Sequence, residues 1–242
     1  MASTDTRRRI LDAALACFTE DGYEQATIAR IRQRSGTSNG ALFHHFASKE
    51  AIADALYVEA IASFQHGLWE LLGGEPRSPR AMVRETIVHQ LRWIEQHPDL
   101  ARFVYRRGNL GWDSPAGAEL LALNRDLAAA YRKWMAPLVD AGEIRPASML
   151  VISAIVSGPA HAIAQRWLAG QIASPLTAFV DELTDAAWAG LRGTQVRTRT
   201  TQYVPAAGRL RLELVADDGS VLAQGQATAQ LRPLQRVDSG TI

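Results

Sequence analysis

The sequence predicts an all-α chain: a small three-helix unit at the amino end, a larger helical body, and a β-hairpin appended at the carboxyl end. Three observations predict it. Apolar residues recur at helical spacing from Ile10 onward. Helix punctuation repeats, with Ser-Pro pairs at Ser78-Pro79, Ser114-Pro115 and Ser174-Pro175 and glycines at Gly142, Gly170 and Gly193. Residues 208–231 instead alternate strictly around Asp218-Gly219, a two-residue hairpin signal. The expected boundaries are 1–48, 49–192 and 193–242. With 242 residues, 47% hydrophobic and 21% charged, the chain can bury a core of ordinary globular composition.

The elements follow in order. Ile10, Leu11, Ala14, Leu15 and Phe18 make an amphipathic first helix that stops near Gly22. Residues 27–49 then read TIARIRQRSGTSNGALFHHFASK, two short helical patterns joined by a turn, with four cationic residues and no acid. Thr27 is the expected N-cap of the first, on which Ile28 and Ile31 share a face. Gly36 supplies the positive φ of the turn. Ser38 is the next N-cap, and Leu42 and Phe46 anchor the helix over residues 39–45. A long helix starts at Ser48 and runs through Ile52, Leu56, Phe64 and Leu68 to Gly73-Gly74. Further helices are expected at about 79–96, 99–107, 115–140, 147–169 and 175–191.

The 27–49 pattern is that of a helix-turn-helix, and its chemistry suits double-stranded DNA. Asn39, Ala41, Phe43 and His44 remain to face outward. Gly40 and Ala41 are small enough to let the backbone approach base edges. Asn39 can pair bidentately with adenine, and His44 can donate to a base or a phosphate. Thr27, Ser38, Lys49 and one or more of Arg30, Arg32 and Arg34 would fix position on the phosphates. Thr37, in the turn, is a further candidate for a backbone contact. Formal net charge is only +1, so the positive charge that matters is local.

Thr27, Ile28, Ile31, Gly36, Ser38, Gly40, Leu42, His45, Phe46, Lys49 and Glu50 fall on the pattern of the TetR-family repressors, which this stretch resembles without a gap. The likeness is good over about residues 5 to 60 and general beyond. Arg32 departs from the usual Ala, Thr37 from an apolar residue, and Phe43 from Tyr, losing a hydroxyl. The resemblance implies a dimeric transcriptional regulator, a repressor that leaves a palindromic operator when a small molecule fills the helical body. It also implies a two-fold dimer built as a four-helix bundle on the helices at about 147–169 and 175–191. Two readers about 34–36 Å apart would meet successive major grooves.

The body offers candidates for the effector. Met82, Thr86, His89 and Trp93 form a mixed stripe on one helix, and Trp69, Phe103, Tyr105, Trp112, Trp134, His161 and Trp167 add aromatic and imidazole groups. Pockets are mostly apolar with a few polar groups, although aromatic stripes at this spacing are core more often than ligand wall. Small residues at Ala154, Ser157, Gly158 and Ala160 allow close helix approach, and Gly158-Pro159 should kink that helix. The reader joins the body through one helix without a flexible linker, so a change in one can move the other.

Several classes are set aside. The single cysteine, Cys17, leaves no disulfide framework and no cysteine zinc site. No His-x-x-x-His pairing, catalytic triad or paired-carboxylate spacing stands out, so no metal, cofactor or catalytic residue is expected. No run approaches 18 apolar residues and MASTDTRRR lacks a signal region, so a cytoplasmic location without membrane contact is expected. In the tail, Leu212 should oppose Gly225, Leu214 Ala223 and Ala216 Val221. Its pattern looks like the last strands of hotdog-fold thioesterases over two dozen residues. An acyl-thioester-binding or thioesterase-like protein using the cavity and hairpin is therefore the alternative.

Overall fold

The computed structural model describes residues 2–75, 77–107, 114–193, 197–200, 209–215 and 221–228. Two compact units result, Met1–Arg192 and Gly193–Ile242. The first is all-α among its described residues. Its helices are α1 (Ala2–Asp21), α2 (Ile28–Ser35), α3 (Asn39–His45), α4 (Lys49–Gly73), α5 (Pro79–Gln96), α6 (Pro98–Arg107), α7 (Pro115–Asp140), α8 (Met149–Leu168) and α9 (Val180–Leu191).

Side-chain caps set the helix starts. Hydroxyls of Ser78, Ser114 and Ser148 accept from the backbone N–H of Ala81, Gly117 and Val151 at 3.3, 3.0 and 3.3 Å. Pro79 and Pro115 occupy the first turn, where a missing N–H costs nothing. The third Ser-Pro pair behaves differently. Pro175 precedes a single 3₁₀ turn, Leu176–Phe179, and α9 starts only at Val180. The cap comes instead from a distant carboxylate: Glu95 of α5 accepts from Leu176 N–H at 2.5 Å and Thr177 N–H at 3.3 Å. Pro159 lies inside α8 without ending it.

Two apolar cores organise this unit. One gathers Ile10, Leu11, Ala14, Phe18, Ile31, Leu42 and Phe46 around Ile52, Ala53 and Leu56 of α4 and Phe103 of α6. The other is centred on α5, α8 and α9, with Ile87, Leu91, Ile94, Ile152, Val156, Ala160, Leu183 and Ala187. The rod α4 belongs to both regions. Its first half closes the amino-terminal core, and Ala60 and Phe64 pack in the second. Among the described residues no helix is long and apolar enough to cross a membrane.

The second unit contains β1 (Arg197–Thr200), β2 (Arg209–Val215) and β3 (Val221–Thr228), antiparallel in the order β1-β2-β3. Leu212 faces Gly225 and Leu214 faces Ala223, but an irregularity after Leu214 brings Val215 opposite Val221. Ala216, expected there, lies outside the described residues, as do the Asp218-Gly219 turn and the strand side chains. β1, with the polar sequence RTRT, carries no apolar alternation and was not expected.

Candidate nucleic-acid interface and ligand cavity

Local chemistry shapes the reader. The Thr27 hydroxyl accepts from Arg30 N–H at 3.2 Å and starts α2. At its end Gly36 takes φ 63°, and the N–H groups of Gly36 and Thr37 close on the carbonyls of Gln33 and Arg32. Ser38 then caps α3 through Ala41 N–H at 3.1 Å, and Ser48 caps α4 through Ala51 N–H at 3.1 Å. Ile31 and Leu42 are fully buried and Phe46 nearly so, which fixes how α3 lies on α1 and α2.

That anchoring leaves one face of α3 open. Asn39, Gly40, Phe43 and His44 are all exposed, Phe43 by 51%, while Ala41 is half-buried. A Cβ built on Gly40 meets no atom within 4 Å, so packing does not demand glycine there. What glycine contributes is a low surface. The face thus combines an amide, an imidazole, a phenyl ring and two small residues, a set able to read base edges and a thymine methyl.

The cations are less free than their spacing suggests. Arg30 pairs with Asp21 at 2.9 Å and Glu20 at 3.2 Å, and Arg34 with Glu20 at 2.6 Å. The bond from Arg34 foremost holds the Glu20 carboxyl below its usual range. Asp21 chiefly raises Arg30, and Glu20 chiefly raises Arg34. Arg32 makes no ion pair among the described residues. Glu20 and Asp21 sit at the C-terminal end of α1, where the helix dipole disfavours negative charge. That unfavourable placement was the signal that arginines lie nearby.

One candidate needs correction, and another is engaged within the chain. Thr37 is buried, and its hydroxyl lies 2.8 Å from that of Ser35, so it fills the place of the usual apolar turn residue and faces inward. Lys49 is tethered, its Nζ donating to the Tyr23 carbonyl at 2.8 Å and the Glu24 carbonyl at 3.1 Å, 4.5 Å from the Tyr23 ring centre. It fastens the start of α4 to the loop ahead of α2.

In the body, α4, α5, α7 and α8 line a cavity of ≈ 490 Å³. Phe64, Leu68, Met82, Val83, Leu127, Tyr131, Trp134, Met135, Ile152 and Val156 form its apolar wall, and Gln65, Thr86 and Asn124 bring polar groups. Met82 and Trp134, expected from sequence, are there.

The other candidates are not part of this wall. His89 is a structural histidine, with Nε2 2.7 Å from the Phe64 carbonyl and its ring stacked on Phe64. Trp93 is buried between Phe64 and His97 and donates to the Ser63 hydroxyl. Phe103 stacks on Phe18 in the amino-terminal core. Trp69 is 41% exposed, and Trp167 packs against the rim of the body core. Tyr105 and His161 join hydroxyl to Nδ1, and burial pushes the tyrosine pKa up and the histidine pKa down. Trp112 lies outside the described residues. His89, Trp93, Phe103, Tyr105, His161 and Trp167 thus each pack or bond within the protein, which outward periodicity does not reveal. Sequence reasoning missed Gln65, although it interrupts the apolar stripe Ile61–Leu68–Leu72 at helical spacing. Among the described residues no group of three His, Cys, Asp or Glu could hold a metal ion.

Comparison with known proteins gives the site a context. The family model for bacterial regulatory proteins of the tetR family matches residues 10–56. The HTH-type transcriptional repressor AcnR of Corynebacterium glutamicum is 40% identical over 98 residues, 37% of this chain and 52% of its own length. The HTH-type transcriptional repressor Rv1474c of Mycobacterium tuberculosis is 37% identical over 130 residues, 50% of this chain and 63% of its own. The chain thus spans between half and two thirds of these relatives. Solved structures resemble it in fold over a longer stretch. A TetR family transcription regulator from Marinobacter aquaeolei superposes with TM-score 0.65 at 17% identity, covering 78% of this chain and 97% of that one. The transcriptional regulator FadR of Bacillus subtilis, in complex with stearoyl-CoA, does so with TM-score 0.63 at 18% identity, over 76% and 98%.

Proposed function

We propose that this chain, whose residues 10–56 match the family model for bacterial regulatory proteins of the tetR family, is a DNA-binding transcriptional regulator, a repressor acting on a palindromic operator. The observation that carries this is the exposed α3 face of Asn39, Gly40, Phe43 and His44 on a helix locked from behind by Leu42 and Phe46. Asn39 and His44 read bases, Thr27, Ser38 and Arg32 meet phosphates, and Arg30 and Arg34 exchange Glu20 for phosphate on binding. Lys49 steadies the loop between α1 and α2.

Residues 1–48 act as reader and 49–192 as effector-binding and dimerisation region. A homodimer through α8 and α9 is supported by the apolar surface at the start of α8, where Leu150 is 79% and Val151 44% exposed. A small molecule entering the cavity shifts the spacing of the two readers through α4, provided it binds one spacing better than the other. The protein works in the cytoplasm, as a binder and not an enzyme, and the strands after residue 193 are a structural appendage. A long apolar chain suits the wall of the cavity; nothing in the described residues favours a thioesterase.

Mobility-shift titration against the promoters of its own and adjacent genes tests the proposal. Specific retention that falls steeply with salt is expected, because phosphate contacts release counterions. Absent or salt-insensitive binding would end it.

A further inference from the structure

The chemistry of the cavity wall narrows the ligand, on the reading above that this cavity is the effector site. None of the residues lining it carries a formal charge, and none is a histidine. A charged group drawn inside would lose water without gaining an ionic partner. The wall is not wholly apolar, however. Gln65 is only 5% exposed, and its Nε2 donates to Asn124 Oδ1 at 2.7 Å. Its Oε1 is buried without a hydrogen-bond partner among the described residues. Buried amide oxygens are nearly always paired; of the two unpaired ones among the described residues, on Gln65 and Gln90, only Gln65 belongs to the cavity wall. The hydroxyls of Thr86 and Tyr131, 3.5 Å apart, line the same space, and burial keeps the Tyr131 hydroxyl protonated.

We infer that the cavity takes an uncharged, largely apolar molecule ending in a hydroxyl or N–H donor, which hydrogen-bonds to the Gln65 side-chain oxygen. The apolar part lies against Leu68, Met82, Leu127 and Trp134, and the donor supplies what Gln65 lacks. Anions and pure acceptors of the same shape are discriminated against, the first by desolvation and the second by leaving Gln65 unpaired.

The test uses the full chain and three probes with one alkyl chain: 1-decanol, decanoate at pH 8, and decyl methyl ether. Binding is followed by Trp fluorescence and by calorimetry. Decanol is expected to bind about tenfold more tightly than either of the others, the worth of one well-made hydrogen bond. Gln65→Leu should bring the alcohol and the ether within about twofold of each other while ether binding persists. Gln65→Met, which keeps the unbranched shape, should do the same if Gln65→Leu unfolds. Decanoate or ether binding as tightly as decanol overturns the inference, as does binding by none of the three or a gap that survives both variants. DNA titration in parallel separates this from the regulatory proposal. Operator retention with no probe bound sinks the ligand class alone, and decanol bound with these preferences but without effect on DNA supports the ligand class and removes effector release.

Discussion

The reader and the cavity are built on opposite principles. Almost everything that shapes α2 and α3 comes from neighbours in sequence: Thr27 caps three residues ahead, Gly36 closes on Arg32 and Gln33, Ser38 caps Ala41, and Leu42 stands four residues before Phe46. The cavity instead collects Phe64 of α4, Thr86 of α5, Trp134 of α7 and Val156 of α8, which meet only after the body has packed. The reader is therefore a rigid local motif, whereas the cavity depends on long-range packing. The function proposed above would use that contrast, because DNA-reading geometry must persist while the ligand region responds.

The strongest challenge to the reader's rigidity is Leu42→Ala. This side chain is fully buried, and its loss should cost about 2–5 kcal/mol in denaturant unfolding and abolish operator retention. A loss below about 1 kcal/mol would show that α3 is not held as described. The matching challenge to the body is Gly67→Ala. Its new Cβ would collide with the His89 ring, displacing it from its place beside the Phe64 carbonyl; destabilisation of about 1–3 kcal/mol is expected by thermal unfolding. Asn39→Ala should leave stability unchanged and relax preference at one base pair by about 1–3 kcal/mol in a base-substitution panel. Uniform weakening across that panel would move Asn39 to a phosphate-contacting role.

Smaller effects test the electrostatics. Glu20→Gln removes the shared partner of Arg30 and Arg34, so binding at low salt should tighten and the plot of log affinity against log salt should steepen by about one contact. An unchanged slope would mean that neither arginine reaches phosphate. His161 should give the mildest signature. Burial lowers its folded pKa, so the unfolded chain takes up its proton first as pH falls below about 6.5. Stability from this group is complete above that pH and declines beneath it. His161→Phe should flatten the difference between melting points at pH 7.5 and 5.5, and an equal difference in both proteins would remove His161 as its source.

What could be read from sequence follows the same division. Caps at Thr27, Ser38, Ser48, Ser78 and Ser114 were legible because cap and partner lie three residues apart. Ser174-Pro175 carried the same signal and failed, because Glu95, 81 residues from Leu176, supplies the cap by tertiary contact. Arg30 and Arg34 looked like free cations because their carboxylates come from another helix. Thr37 looked like surface because a hydroxyl in a turn normally is, yet Ser35 satisfies it inside. The aromatic residues of the body could not be sorted into wall and core by periodicity. A helix in a multilayer bundle has several buried sides, and spacing does not say which of them borders empty volume.

One rod carries both halves of this contrast. Between Leu56, which belongs to the reader's core, and Gln65, on the cavity wall, α4 runs nine residues, about 13 Å at the rise of an α-helix. Slipping one extra residue into that span would twist its two ends out of phase by about 100° and leave Ile52 and Leu68 unable to face inward together. The stretch from Leu56 to Gln65 is therefore intolerant of changes in length, however freely its outward-facing letters vary.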